Sequence, residues 1–166
     1  LFLHGIGPWL LGAEALASAS PPRNADLVIV GTGISGLAAA LDAGRAGANV
    51  TVIDMWSVFG GHAVMSSGLV CLVDTPFQWA HKVADSPDLA IDDFLTHGKD
   101  ANPAWVRLYA RDSRCEVYEW LDELGVGWSQ LFPLMPGNSV QRQHLAEGRG
   151  IGLISPIYRA CLLRPN

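Results

Sequence analysis

The chain has 166 residues, 49% apolar and 16% charged, a balance that supplies a buried core and excludes general disorder. Lys and Arg number 11 against 16 Asp and Glu, a formal charge of −5, and no run of basic residues could track a phosphate backbone, so no nucleic-acid partner is expected. Cys71, Cys115 and Cys161 are odd in number and widely spaced, which fits neither a disulfide framework nor a zinc site; buried free thiols are expected.

Residues 1–24 are expected to lie outside the folded domain, which takes 25–166. Leu1 to Ser20 is apolar and rich in Gly and Ala, ends in Ala17-Ser18-Ala19-Ser20, and is followed by Pro21-Pro22. That order matches the apolar region and cleavage site of an export signal lacking its charged start; a packed N-terminal helix or a flexible leader are the other readings. The protein would be exported in the first case and cytoplasmic otherwise. His4, Pro8 and Glu14 interrupt the run, so no membrane span is expected. The chain starts at Leu rather than Met and breaks off at Cys161–Asn166 just after a helical pattern has begun, so a fragment is expected.

Leu27-Val28-Ile29-Val30 is a continuous branched run, which predicts a strand buried on both faces of a parallel sheet. Gly31 to Gly36 turns the chain, Leu37 to Leu41 continues as a tightly packed helix ending near Gly44 or Gly47, and Asn49 to Asp54 supplies a second buried strand. Together they predict a βαβ unit. Ser86-Pro87-Asp88 and Asn102-Pro103 are helix starts, the second opening a helix whose Val106, Tyr109, Val117, Trp120, Leu121 and Leu124 recur at helical spacing before Gly125. Residues 128–152, with Pro133, Pro136-Gly137 and Gly148-Arg149-Gly150, read as loop, and Ile154 to Leu163 as helix.

Gly31-Thr32-Gly33-Ile34-Ser35-Gly36 is a G-x-G-x-x-G placed between strand and helix. Gly31 permits the tight turn, Gly33 lets backbone approach a pyrophosphate, Gly36 lets helix and strand pack closely, and the helix N-terminus offers free N–H groups to phosphates. Asp54, with Met55 beside it, stands 54 − 31 = 23 positions after the first glycine, where a carboxylate can accept hydrogen bonds from ribose hydroxyls and repel a 2′-phosphate. The fold class is therefore α/β, a Rossmann-like FAD/NAD(P)-binding domain with a parallel sheet, incomplete. The fingerprint alone leaves FAD and NAD both open.

Gly60-Gly61-His62-Ala63-Val64-Met65-Ser66-Ser67-Gly68 follows, and a glycine pair there would let backbone run beside a diphosphate and ribityl chain. Here the sequence resembles the FAD-binding domain of the fumarate reductase and succinate dehydrogenase flavoprotein family, which includes 3-ketosteroid dehydrogenases. In that family a Gly-Gly, small polar residues and a Ser-Gly or Gly-Gly lead past the flavin ring; Gly60-Gly61, Ser66-Ser67 and Gly68 match. The resemblance is close from Leu27 to about Leu72 and looser onward, where Asn138 to His144 and Gly148 to Gly152 look like a segment preceding a helix near the flavin.

The resemblance implies an FAD-dependent oxidoreductase acting on a C–C or C=C bond of a small substrate such as a dicarboxylate or ketosteroid, with an unidentified electron donor or acceptor. It makes Arg142 and His144 candidates for contact with flavin or an anionic substrate, against the alternative of a solvated polar loop. His62 is placed near the ring as a polar neighbour or, as in some members with covalent flavin, an attachment point. Substrate-clamping arginines would come from a capping domain and a C-terminal part, so the fragment alone is expected to be inactive. The remaining readings are an NAD-binding or amine-oxidase-type flavoenzyme and a non-catalytic nucleotide-binding remnant.

Overall fold

The computed structural model describes residues 24–166, so the leader or export signal expected over residues 1–24 lies, but for Asn24, outside the described residues. Strand β1 (Leu27–Val30), helix α1 (Ile34–Arg45) and strand β2 (Val50–Ile53) form the expected βαβ unit, with β1 and β2 parallel and Leu27 opposite Val50. Helix α1 buries Leu37, Ala40, Leu41 and Gly44; the chain leaves it through Gly47 at φ +93°, a left-handed angle that suits glycine.

One expectation for these strands is corrected. Their apolar side chains are not buried on both faces: Val28 is 56% exposed, Val30 82% and Ile53 49%. Helix α1 packs against both strands, and among the described residues the sheet has no third strand. The branched run is adapted to a sheet wider than these two strands.

A 3₁₀ turn (Gly61–Met65) leads to strand β3 (Leu69–Cys71). Helix α2 (Pro76–Ala80) starts with a capping box in which the Thr75 side chain and the Gln78 side chain satisfy each other's backbone N–H groups. Helices α3 (Pro87–His97) and α4 (Pro103–Asp112) start where predicted: Ser86 Oγ accepts from Leu89 N at 3.2 Å and Asn102 Oδ1 from Ala104 N at 2.9 Å, with proline at the first turn of each. Helix α4 passes through a π-helical segment (Ser113–Glu119) into α5 (Trp120–Glu123), so the single helix of the periodicity is one path with a change of pitch.

Residues 128–152 are loop only in part: 132–142, with Pro133 and Pro136-Gly137, carries neither strand nor helix, but the flanking residues do not follow the loop reading. They hold strand β4 (Trp128–Leu131), strand β5 (Gln143–Ala146) and the start of helix α6 (Arg149–Leu162), five residues before the predicted Ile154. Strand β5 is central in an antiparallel sheet of order β3-β5-β4, with Val70 opposite His144. Gln143–Ala146 alternates half-buried and buried positions, but its inward residues are a histidine and a small alanine, which hid the period-2 signal.

The main core joins Leu37 of α1, Leu72, Tyr118, Leu121, Trp128 and Ile154 and Ile157 of α6. A smaller one joins Val73, Ala90, Ile91 and Ala110. Cys71 and Cys161 are half-buried thiols, but Cys115 is exposed, correcting the expectation that all three are buried.

Candidate functional site

The turn after β1 is drawn by two backbone demands. Gly31 has φ +103°, and its N–H donates to Ile53 O at 2.7 Å, tying the turn to the end of β2. A Cβ on Gly36 would lie 2.1 Å from Gly31 O, so helix α1 can approach β1 this closely only with glycine there. At Gly31 and Gly33 a Cβ would meet nothing within 4 Å. Those two positions open onto free space at the start of α1, where Ile34 and Ser35 are exposed in the first turn.

Asp54 leaves β2 beside this turn. Its Oδ2 accepts from the Thr32 N–H at 2.6 Å and the Thr32 hydroxyl at 2.5 Å, and its Oδ1 from the Trp56 N–H at 2.9 Å. The Thr32 hydroxyl, then the Trp56 and Thr32 amides, hold its pKa down to about 2, so the group is a carboxylate at any physiological pH. Val30, Gly31, Ile53, Asp54, Met55 and Trp56 line an open, apolar hollow of about 450 Å³ at the carboxyl ends of the two strands. Ligands of open α/β sheets bind outside the carboxyl ends of strands.

The glycine pair joins the same place. Gly60 N–H donates to Thr32 O at 3.0 Å, and Gly60 and Gly61 take φ +99° and +50°. A Cβ on Gly61 would stand 3.5 Å from Gly33 Cα, so two stretches of bare backbone face each other with no side chain between them. Behind the pair lies α6. A Cβ on Gly60 would stand 3.3 Å from Ile154, and the Phe59 and Tyr158 rings stack at 3.9 Å between centroids. His62 and Met65 are exposed on the 3₁₀ turn, as are Ser66 and Ser67 just beyond it. Ser66 Oγ accepts from Gly68 N at 3.2 Å, and Ser66 O from Gly150 N at 3.3 Å. Gly68, at φ +77°, meets the backbone of Arg149 so closely that a Cβ would lie 2.5 Å from it.

Arg142 and His144 are not part of this cradle. Neither is in a solvated loop: they are 1% and 0% exposed. Arg142 forms a bidentate pair with Asp85, with Nε and Nη2 at 2.9 Å, while Nη1 reaches Asp93 at 2.5 Å and Asn138 Oδ1 at 3.2 Å. Burial opposes its charge, but the hydrogen bonds and charges of Asp85 and Asp93 outweigh that and raise its pKa. His144 sits between Arg142 O at Nδ1, 2.8 Å, and Thr75 Oγ1 at Nε2, 2.7 Å. Burial lowers its pKa more than the Arg142 carbonyl restores it, so the ring is neutral, Nδ1–H donates, and Nε2 accepts from Thr75. Thr75 binds Gln78 and Gln78 Nε2 donates to Asp85 at 3.0 Å, closing a ring of hydrogen bonds from Arg142 back to Arg142. Every nitrogen of the guanidinium and of the imidazole has a partner inside the fold.

Sequence reading passed over Thr32, Gly148 to Gly150 as a helix start, and the Thr75–Gln78–Asp85 links. Thr32 carried a signal, a hydroxyl between two fingerprint glycines with an acid one strand away. The Thr75–Gln78–Asp85 links are local, 3 and 7 residues apart, but they matter through partners 57 or more residues away, as between Asp85 and Arg142 or Thr75 and His144.

The cradle fits a dinucleotide on the observations themselves: free space over Gly31 and Gly33, bare backbone at Gly61, an ionised acid at the strand end, and an apolar hollow beside it. A family model described as FAD binding domain matches residues 26–162. The chain is 36% identical over 140 residues to a cytochrome-type fumarate reductase of Shewanella frigidimarina, covering 83% of this chain and 24% of that protein. It is 32% identical over 148 residues to a KsdD-like steroid dehydrogenase of Mycolicibacterium smegmatis, covering 79% and 27%. A flavocytochrome c3 fumarate reductase in its open conformation superposes with a TM-score of 0.75 at 27% identity, over 96% of this chain and 28% of that one. The chain thus spans about a quarter of the length of the relatives it matches. These matches follow the flavin reading rather than the NAD or amine-oxidase alternatives, and the chain belongs to the FAD binding domain family of flavoproteins, with FAD as its cofactor.

Proposed function

We propose that the protein carrying this chain is an FAD-dependent oxidoreductase that reduces or forms a C=C bond in a small organic substrate, a dicarboxylate or a ketosteroid. The observation that carries the reading is the pair of facing glycine backbones, Gly33 and Gly61, set between an ionised Asp54 and the N-terminus of α1. Bound there, FAD would supply the hydride and electron chemistry that side chains lack. The chain's own residues bind and orient. The N-terminus of α1 and the amides near Gly33 would hold the diphosphate, Asp54 would accept from the ribose, and the Val30, Ile53 and Trp56 wall would receive the adenine. Gly60 to Gly68 carries the chain onward towards the ring, where His62, Ser66 and Ser67 are exposed neighbours. His62 makes a polar contact rather than a covalent bond in this reading. Arg142 and His144 hold the scaffold and do not touch substrate.

Among the described residues no helix is long and apolar enough to cross a membrane, and no group of His, Cys, Asp or Glu is arranged to hold a metal ion. The electrons are exchanged with a separate donor or acceptor. The test is the absorption spectrum of the full-length protein purified without added cofactor, taken before and after acid precipitation, followed by turnover with fumarate, acrylate and a 3-ketosteroid using an artificial electron dye. Flavin bands that pass into the supernatant, with turnover of one substrate class, are expected. A colourless protein refutes the flavin reading, and a yellow pellet refutes the non-covalent one and makes His62 the residue to replace.

A further inference from the structure

Thr32 occupies a position that no dinucleotide fingerprint specifies, yet it makes more polar contacts than any other residue of the cradle. Its amide and hydroxyl both donate to Asp54 Oδ2, at 2.6 and 2.5 Å. Its carbonyl and hydroxyl oxygens both face the Gly60 N–H, at 3.0 and 3.3 Å. One side chain therefore couples the ribose acid on β2 to the glycine pair that faces Gly33. A carboxylate has about four lone-pair sites. Two are taken on Oδ2 by Thr32 and one on Oδ1 by Trp56, and the Met55 amide also hydrogen-bonds the group, so the carboxylate is held in one orientation at the edge of the apolar hollow.

We infer that Thr32 is a positioning residue for ribose recognition: its hydroxyl, bonded to Oδ2, keeps the Asp54 carboxylate turned so that it meets a ribose hydroxyl. The inference rests on the reading of the site as an FAD cradle. It separates two jobs in one loop. Backbone at Gly31 and Gly33 accommodates phosphate, whereas the Thr32 side chain, acting through Asp54, discriminates the sugar. A valine at this position has the same shape but no hydroxyl, so it removes a donor from a charged acceptor and lets the carboxylate rotate.

The test is calorimetric binding of ADP and of 2′,3′-dideoxy-ADP to the full-length protein produced in flavin-depleted cells, for wild type, Thr32→Val and Thr32→Ser. Wild type is expected to prefer ADP, Thr32→Val to lose about tenfold or more in ADP affinity while binding the dideoxy analogue as before, and Thr32→Ser to restore the preference. A Thr32→Val protein that binds both nucleotides more weakly by the same factor, leaving the preference intact, overturns the inference, since Thr32 would then only shape the loop. Failure of wild-type protein to bind ADP at all overturns the cradle reading instead, so the two failures are distinct. Circular dichroism of the three proteins guards against unfolding, and the serine variant keeps the comparison decisive if valine is not tolerated: a serine protein without preference for ADP also counts against the inference.

Discussion

Replacing Arg142 by Met keeps an unbranched stem in the same space and removes the guanidinium. The loss strips Asp85 of a bidentate partner and Asp93 of its cation, and these carboxylate side chains are 0% and 10% exposed. Breaking a buried ion pair by removing one partner costs about 3–5 kcal/mol, most of it from the charge left behind. Arg142 serves two acids, so the upper part of that range applies. Because Arg142 O also accepts from Leu72 N at 2.9 Å, the damage falls on the β3–β5 junction. With each 1.4 kcal/mol worth tenfold, amide protection there should drop by about three to three and a half orders of magnitude. Hydrogen exchange read by mass spectrometry on peptides covering Leu69–Cys71 and Gln143–Ala146 of the full-length holoprotein measures it. Adding Asp85→Asn and Asp93→Asn to Arg142→Met should return part of the protection, because the penalty is the unpaired charge rather than the missing contact. Protection within about tenfold of wild type in the single variant would refute the assignment of these residues to the scaffold.

His144 gives a pH signature. Its folded pKa lies below its ordinary value of 6.5, so the unfolded chain takes up the proton first and stability falls as pH drops below about 6.5 towards the folded pKa, with a slope of at most about 1.4 kcal/mol per unit. Thermal midpoints of His144→Gln between pH 7 and 5 should therefore decline less steeply than those of wild type. Asp93 works the other way in chemistry but with the same sense: burial raises its pKa, hydrogen bonds from Ser139 and Arg142 more than offset this, and the stability it contributes is lost only as pH falls from its ordinary 3.8 through the lower folded value. Gly36→Ala and Gly33→Ala should part company. The first, with its Cβ 2.1 Å from Gly31 O, should lower both the thermal midpoint of the flavin-free protein and flavin content; the second, with nothing within 4 Å, should leave that midpoint unchanged and reduce bound flavin measured by absorbance. Gly68→Ala combines φ +77° with a contact of 2.5 Å to Arg149 and should cost about 1–3 kcal/mol in thermal or chemical unfolding, detaching the Ser66–Gly68 stretch from the start of α6.

The parts legible in the sequence are those where one local demand acts on a few adjacent residues. Gly31 answers a left-handed φ and Gly36 a backbone contact inside one turn, Gly33 leaves the backbone open, and Ser86-Pro87 and Asn102-Pro103 each start a helix within three residues. The parts that were not legible are those where a residue's partners are distant or its polarity misleads. Arg142 stands just before strand β5, two positions ahead of an inward histidine, so the stretch reads as a polar loop although both side chains are buried. Only the fold brings Asp85, Asp93 and Thr75 to them, and with those partners a buried charge and a neutral imidazole become admissible. The exposed Val28, Val30 and Ile53 show the converse case, where the sequence is adapted to a wider sheet than two strands.

The same contrast explains why the cofactor site and the buried polar ring lie on different elements. The cradle needs backbone that can be approached, so it is built from glycines whose neighbours are themselves backbone: Gly36 against Gly31, Gly61 against Gly33, Gly150 against Ala63 and Ser66. Bare backbone has no side chains to hold it in register, and the register is supplied from behind. Helix α6 supports Gly60 through Ile154, Phe59 through Tyr158 and Gly68 through Arg149, and it follows β5 after only Glu147 and Gly148. Strand β5 is in turn anchored by Arg142 and His144. The rigid ring and the open cradle are therefore linked through one short connection, and loosening the first should be felt as a wider spread of positions at Gly60 and Gly68 before any residue that touches the cofactor is changed.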